Sequence, residues 1–433
     1  MAKTGKMPRI IYLIALENIL DNAIFENQVK KLLLRIQGSK DRRVELTIVC
    51  LLPWFELTRR GVYSNFRKYR DSIDRLRNEL AGKGVGLELV PTPIPSAFFN
   101  MGPILLAFLS LWAVPALWYK MFRLRAQVVH CRYYYAAFLA LVARRLIPWP
   151  VKVIFDVRTL LPEQGLVNRK WRSGGPVFRF WKALEHWMLN SADLVVSVSP
   201  AMTVHLEKEN PKAAVETIPN FVDLEYFRPD SDLRAETRRR LGLDNRRVLV
   251  FSGTLGGRYP AERIAECAEN FFRLFDSEGY LLVLTGSDEK RLAPLVEALG
   301  KCGLQRGNEW EAHRCAVDEV PQMLAAADWA LLVLADFLTS ETFLPIKFAE
   351  YLALGLPILT HPANSELVRL VENHGVGMVL DREQQAEALR SRLLENLEVM
   401  RTRCLEVVRE QFDIDKFAGR YASLYRELAA ART

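Results

Sequence analysis

The chain has 433 residues, half of them hydrophobic and a quarter charged, an ordinary globular composition with length for two or three domains. Its net charge of +8 suits anionic lipid, phosphorylated ligands or nucleic acid and selects none of them. Six cysteines stand at 50, 131, 267, 302, 315 and 404, too scattered for CxxC zinc spacings and consistent with a reducing cytosol.

The chain opens "MAKTGKMPRIIYLIAL". Its apolar run of about eight residues is shorter than a membrane span, and no small-residue cleavage site follows, so neither a span nor a signal peptide is expected. "RIIYLIAL" predicts a strand and "NAIFENQVKKLLLRI" a helix, with Asp21 available as its cap. "VELTIVCLL" and "GLELVPT" predict strands either side of the basic, exposed helix "FRKYRDSIDRLRNELAG". Residues 97–119, "AFFNMGPILLAFLSLWAVPALWY", carry no charge. Length permits a span, but Pro103 and Pro115 interrupt it and strands of one sheet flank it. Three outcomes stay open: a covered core helix, a helix dipping into a membrane surface, and a span. "KMFRLR" follows and sets Lys120, Arg123 and Arg125 where lipid phosphates would lie.

Strand and helix then alternate through "AQVVHC", "YYYAAFLALVARRL", "VKVIFDV", "PVFRFWKALEHWMLNSA", "DLVVSVS", "PAMTVHLEKEN" and "AVETIP". Alternation of this kind builds a mostly parallel sheet covered on both faces. Residues 223–247 are polar and crowded with charge, a linker and solvated helix. A second series runs through "RVLVFSGTLGG", "YLLVLTGS", "WALLVLAD", "LPILT" and "GVGMVL". The expected fold is α/β, two doubly wound Rossmann-like domains facing across a cleft. Their expected ranges are 1–222 and 223–412, with a closing helix over 413–433 returning to the first domain. Sheets of this type bind ligands at the carboxyl ends of their strands.

Two stretches of the second domain carry chemistry. In "VFSGTLGGRYP", Gly253, Gly256 and Gly257 allow close backbone approach at a strand-to-helix turn, and Arg258 adds a cation. The spacing is neither GxGxxG nor GxxxxGK[ST], and a plain tight turn is the bland alternative. In "ETFLPIKFAEYLALGLPILTHP", Lys347 and Glu350 are the only charged residues between Glu341 and His361. They share one helix face. Amides near Phe343, Leu344, Pro345 and Lys347 form a helix start that favours anions. A carboxylate at Glu350 can accept both hydroxyls of a ribose diol. The pair therefore suits a nucleoside diphosphate, while a surface ion pair is the simpler alternative.

With these stretches in order, the chain resembles the retaining, family-four-like (group 1) nucleotide-sugar glycosyltransferases of bacterial glycan assembly, which have the GT-B fold. "IPNFVDLEYFRP" is similar to their interdomain hinge, "SGTLGGRY" to their phosphate loop and "FLPIKFAEYLALGLPIL" to their Glu-x7-Glu donor motif. "VPQMLAAADWALLVL" and "FDIDKFAGRYASLYREL" resemble the segments before that motif and at the closing helix. The resemblance implies that Glu350 binds the donor ribose and that Lys347 and Arg258 bind its diphosphate. The first Glu of the motif would fall on Thr342, with Glu341 one residue earlier. Glu341 shifting into place, or Thr342 with backbone amides, would have to serve the sugar.

The family's glycine pair after the first strand is absent. Glu17, Asn18, Asp21 and Asn22 stand there and are candidates for the acceptor side. His130 ends a first-domain strand, where the resemblance implies a histidine near the transferred sugar; a structural histidine is the alternative. Asp156, Arg158 and Glu163 follow the next strand as acceptor contacts or as a local ion-pair network. Asp230 to Asp232 sit in the polar linker, no histidine spacing suits a metal, and none is expected.

The expected activity is transfer of a sugar, with retention, from a nucleotide-sugar donor to a glycan or lipid-linked acceptor in cell-surface polysaccharide or lipopolysaccharide synthesis. Expected partners are that donor, that acceptor and an anionic membrane surface, with no nucleic acid. The expected place is the cytoplasm, peripheral on the inner face of the membrane. A nucleotide-sugar epimerase of the same fold and a noncatalytic nucleotide-sugar binding partner are the alternatives, since fold alone does not fix function.

Overall fold

A computed structural model describes residues 7–20, 22–38, 44–53, 66–92, 102–168, 170–275, 278–336, 341–362, 365–380 and 386–431. It divides into two compact units, residues 1–219 with 414–433, and residues 220–413.

The first unit holds β1 (Arg9–Ala15), β2 (Glu45–Pro53), β3 (Val85–Thr92), β4 (Val128–Arg132), β5 (Lys152–Asp156), β6 (Leu194–Ser197) and β7 (Val215–Thr217). They form one parallel sheet in the order β3-β2-β1-β4-β5-β6-β7. Every residue of β4 and nearly all of β1 are buried, as befits strands covered on both faces. All seven strands fall on stretches that the sequence marks as strands, six of them apolar runs; β7, "VET", is a half-exposed edge strand. The helices in chain order are α1 (Lys31–Gly38), α2 (Phe66–Gly82), α3 (Pro103–Arg123), α4 (Tyr133–Ala143), α5 (Leu161–Val167), α6 (Pro176–Ser191) and α7 (Pro200–Glu209). Asp21 lies outside the described residues. The side chain of Asn22 accepts the N–H groups of Ile24 (2.9 Å) and Phe25 (3.3 Å) and so caps the turn that leads into α1.

The charge-free segment is helical as α3, with Pro115 inside it and residues 97–101 outside the description. Leu105, Leu109, Ala113, Leu117 and Met121 are buried at four-residue spacing. The opposite face is exposed, which excludes the fully covered core helix.

The second unit holds α8 (Ser231–Leu241), β8 (Arg247–Ser252), α9 (Ala261–Phe275), β9 (Gly279–Leu284), α10 (Glu289–Lys301), β10 (Trp310–His313) and α11 (Val320–Ala325). These are followed by β11 (Trp329–Leu331), α12 (Ile346–Ala353), β12 (Ile358–Thr360), α13 (Ser365–His374), β13 (Gly377–Val379), α14 (Ala386–Glu395) and α15 (Leu397–Gln411). The parallel order is β10-β9-β8-β11-β12-β13. Alternate residues feed two cores. Val248, Val250, Leu282 and Leu284 face one with Phe348, Tyr351 and Leu352 of α12. Leu249, Phe251, Leu281 and Val283 face the other with Phe271 and Trp329. Asp230 is the N-cap of α8, accepting the Leu233 N–H at 2.9 Å, which accounts for it without a metal. The closing helix α16 (Ile414–Ala430) belongs to the first unit.

Candidate functional site

Strand order places a switch point between β8 and β11, whose crossovers leave in opposite directions. Loops leaving two such strands diverge and open a ligand crevice. Both candidate stretches of the second unit are here, one after β8 and one between β11 and β12.

The loop after β8 closes through a two-way exchange. The Gly256 N–H donates to Tyr259 O and the Tyr259 N–H to Gly256 O, both at 3.2 Å. Gly256 (φ +91°) and Gly257 (φ +56°) hold the left-handed conformations that this turn needs. A Cβ would meet nothing within 4 Å at either, so their glycine character follows from backbone geometry. The amides are less available than the glycine count suggests. The Gly253 N–H is spent on Leu284 O (3.0 Å), the Gly256 N–H as above, and the Leu255 N–H on Ser287 Oγ (3.1 Å). Gly257 alone of the three glycines keeps an N–H without a partner among the described residues.

The loop is bound to the second stretch. Ala335 donates its N–H to Arg258 O at 2.9 Å, and the Arg258 guanidinium stands 3.9 Å over the Phe343 ring, a cation–π contact that fixes its direction. Tyr351 of α12 accepts the Ser252 N–H at 3.0 Å, fastening the helix to the end of β8. Burial pushes the Tyr351 hydroxyl well above its ordinary range, opposed by that Ser252 N–H. Burial also pushes Tyr259 up to about 12; Arg258 opposes this and Glu350 adds to it. The loop and α12 thus lie within electrostatic reach of each other.

Pro345 is the N-cap of α12, and Leu344 O accepts a bond from Asn220 Nδ2 at 2.8 Å. Gly355 (φ +66°) ends the helix. Lys347 Nζ and Glu350 Oε2 are 2.7 Å apart. The Glu350 side chain is only 4% exposed, and Lys347 is its sole side-chain partner among the described residues. A carboxylate so deeply set needs its cation. Thr342 is buried and Glu341 exposed. Arg258 is thus stacked on Phe343 just ahead of α12, and Lys347 and Glu350 are paired on the first turns of that helix.

In the first unit, the carboxyl ends of β1, β4 and β5 are adjacent, and each is followed by a non-glycine residue with positive φ: Leu16 (+66°), Tyr133 (+71°) and Arg158 (+56°). Such backbone is uncommon and costly. His130 is fully buried there. Its Nδ1 is 2.8 Å from the Tyr425 hydroxyl and its Nε2 is 3.3 Å from Asp156 Oδ2. Arg158 Nε donates to the same Asp156 oxygen at 2.7 Å. Burial lowers the His130 pKa, with Asp156 opposing. Burial alone would raise Asp156, but Arg158, His130 and Arg132 outweigh it and hold the carboxyl at about 2. The second Asp156 oxygen has no hydrogen-bond partner among the described residues. Both His130 nitrogens face side chains of its own cluster.

The other first-unit candidates separate. Glu17 accepts from Arg132 Nε at 3.0 Å, beside the histidine cluster. Asn18 Oδ1 accepts the Leu20 N–H at 3.0 Å, and Asn22 Nδ2 donates to Asn18 O at 2.7 Å, so these amides shape their own loop. Glu163 does not join Asp156 and Arg158. It pairs with Lys182 at 3.2 Å, and Lys182 also reaches Glu185 at 2.6 Å. Glu185 is buried, hydrogen-bonded to Tyr134, and raised by that burial, with Lys182 opposing. Sequence reading missed Glu185 and Lys182, which lie inside an amphipathic helix, and Tyr421 and Tyr425, whose partners are some 300 residues away. Among the described residues no group of three His, Cys, Asp or Glu side chains is placed to hold a metal ion.

Two parallel Rossmann-like sheets, one in each unit, are the architecture of the GT-B fold. Residues 63–226 match the model of Glycosyltransferase Family 4 and residues 246–398 that of Glycosyl transferases group 1; the chain belongs to this family. It is 27% identical over 222 residues, half of this chain, to the putative colanic acid biosynthesis glycosyl transferase WcaI of Escherichia coli K12. The match spans about half (52%) of that relative's length. The fold is similar to Anabaena HepE in complex with UDP, with TM-score 0.65 and 13% identity over 97% of this chain and 100% of that one. It is also similar to WaaG, a glycosyltransferase involved in lipopolysaccharide biosynthesis, with TM-score 0.61 and 13% identity over 96% and 99%.

Proposed function

We propose that this protein transfers a sugar from a nucleotide-sugar donor to a glycan or lipid-linked acceptor in cell-surface polysaccharide synthesis, with retention and without a metal ion. The observation that carries the reading is the buried Lys347–Glu350 pair on α12, which follows β11, with Arg258 of the loop after β8 stacked on Phe343 ahead of it, both at the switch point of the second sheet. The HepE complex with UDP supports a uridine diphosphate donor, and the WcaI and WaaG likenesses support a cell-envelope glycan product.

In this reading the anomeric carbon–oxygen bond opens and the diphosphate leaves with the electron pair. Negative charge grows on the phosphate facing Arg258, Lys347 and the start of α12, and fixed cations and amides stabilise such charge most as it develops. Glu350 exchanges Lys347 for the ribose hydroxyls, which satisfies the buried carboxylate in both states. The acceptor hydroxyl attacks the anomeric carbon from the leaving-group side and yields its proton to the departing phosphate. No strong base is needed if both reactants are held in place. The acceptor side is assigned to the carboxyl ends of β1, β4 and β5, with His130, Asp156 and Arg158 beneath it as positioning residues and Glu341 or Thr342 on the sugar.

The test is a thermal-shift panel of nucleoside diphosphates and nucleotide sugars in the absence of metal. One of them should raise the melting temperature of the wild type, and Glu350→Ala should lose that gain. Failure of every nucleotide on the wild type overturns the donor site. A second reading, a noncatalytic nucleotide-sugar binder, is motivated by Thr342 in place of a carboxylate. Donor stabilisation with neither transfer nor donor hydrolysis would favour it.

A further inference from the structure

The exposed face of α3 is apolar up to its last turn, where Lys120 and Arg123 stand. Ile104, Phe108, Leu111, Pro115, Tyr119 and Phe122 follow one another at three- to four-residue intervals, all open to solvent, with Trp112 exposed beside Leu111. Leu111 is 78% and Phe108 60% exposed. A helix in water carries polar residues on that face. Here the covered stripe from Leu105 to Met121 and the open stripe opposite are equally apolar, so the fold buries one and leaves the other without a solvent-compatible surface. Leu146, in the turn after α4, is also open at 62% and lies next to the same aromatic group, since Trp118 donates its indole N–H to Leu146 O at 3.0 Å.

We propose that this face docks on an anionic lipid bilayer, with α3 lying in the plane of the interface. Charge makes the choice. Residues 89–155 contain seven lysines and arginines and no aspartate or glutamate. Lys120 and Arg123 share the single carboxylate of Glu88, which leaves that end of the helix cationic, and Arg125 and Arg145 are exposed beside it. Trp118, Phe122 and Trp149 pack ring to ring at 5.7 and 5.4 Å. Tryptophans with an apolar body and a bonded N–H settle at headgroup depth, and an apolar face with cations at one end enters the headgroup boundary by about 5–10 Å. A span is excluded by topology. The strands before and after α3 are β3 and β4 of one continuous sheet, and the opposite stripe of the helix is committed to the core. This inference does not rest on the donor site.

The experiment is flotation of the full chain with vesicles of phosphatidylcholine alone and of equal parts phosphatidylcholine and phosphatidylglycerol, with neither nucleotide nor acceptor. The wild type should float with the mixed vesicles, far less with the neutral ones, and should resist release by high salt alone. Phe108→Glu with Leu111→Glu should lower binding at least about tenfold. Its melting temperature should be unchanged because both side chains are exposed. Arg125→Ser should weaken binding to the mixed vesicles by about fivefold and leave the neutral ones unaffected. Absence of flotation, or full release by salt, overturns the proposal. So does a lipid-free dimer that the double glutamate variant converts to monomer while the wild type fails to float, because the face then belongs to a second copy.

Discussion

Glu350 and His130 are both buried ionisable groups, and their surroundings ask different things of them. Among the described residues Glu350 has one side-chain partner, which is itself partly exposed. Opening that pair returns Lys347 to water but strands the buried carboxylate, so it is favourable only when other donors take the lysine's place. His130 faces Tyr425 and Asp156 inside a cluster that also includes Arg132, Arg158, Tyr12 and Tyr421. Its lowered pKa keeps it neutral when folded, while the unfolded chain takes up a proton near pH 6.5. The unfolded state therefore binds more protons below that pH, and stability falls as the solution is acidified from 6.5. Asp156, at about 2 in the folded state against 3.8, adds a loss of the same sign, complete only as pH falls through 2. His205, His313 and His374 are also lowered, so the curve for wild type alone is ambiguous. His130→Gln should flatten the decline in melting temperature between pH 7 and 5 relative to wild type, and an unchanged slope would show that His130 does not titrate with unfolding.

At the scale of the element, α12 and β8 are joined by the Tyr351 hydroxyl on the Ser252 N–H. Tyr351→Phe keeps the ring in its core and strands a buried donor, at a cost of about 1–2 kcal/mol. The urea midpoint of the second unit should fall accordingly with an unchanged slope, and a nucleotide should bind less tightly because Gly257 and α12 are no longer held in register. How much of this was legible varies with the physics of each element. The strands of the first sheet other than β7, and five of the six in the second, announce themselves as apolar runs, because a parallel strand is covered on both faces. β10, "WEAH", does not: it is an edge strand with partly exposed residues, so its polarity resembles a loop. The Lys347–Glu350 pair of α12 was readable because two isolated charges in an apolar stretch need a reason. The spent amides of Gly253 and Gly256 were not, since their acceptors belong to β9 and to the turn itself. Nor was the Asp328 side chain, which accepts the Val248 N–H at 2.9 Å and meets Arg234 and Arg238. Those partners lie some 80 to 94 residues away, and no local pattern reports them.

At the scale of the molecule, each unit carries its own sheet, and the proposed donor site lies in the second of them. In hydrogen exchange on the full chain, a bound nucleoside diphosphate should slow residues 247–258 and 343–353 and leave 128–132 and 152–158 unchanged, local protection being the mark of a local site. Equal slowing of both sets would mean that binding reorganises the first unit as well.

The first unit is discontinuous in sequence. Residues 414–430 return to it after the whole of the second has intervened, and they bring Tyr425 to His130, Arg420 to Glu216 (2.5 Å) and Asp415 to Arg35 (3.5 Å). On the ribosome the order of emergence is therefore not the order of completion. The second unit has all its strands before α16 is synthesised, whereas the first must wait with its histidine cluster open and one side of α1 uncovered. The nascent first sheet spends the longer time exposed to chaperones and to proteolysis, and α16, which closes it, emerges only after the whole of the second unit.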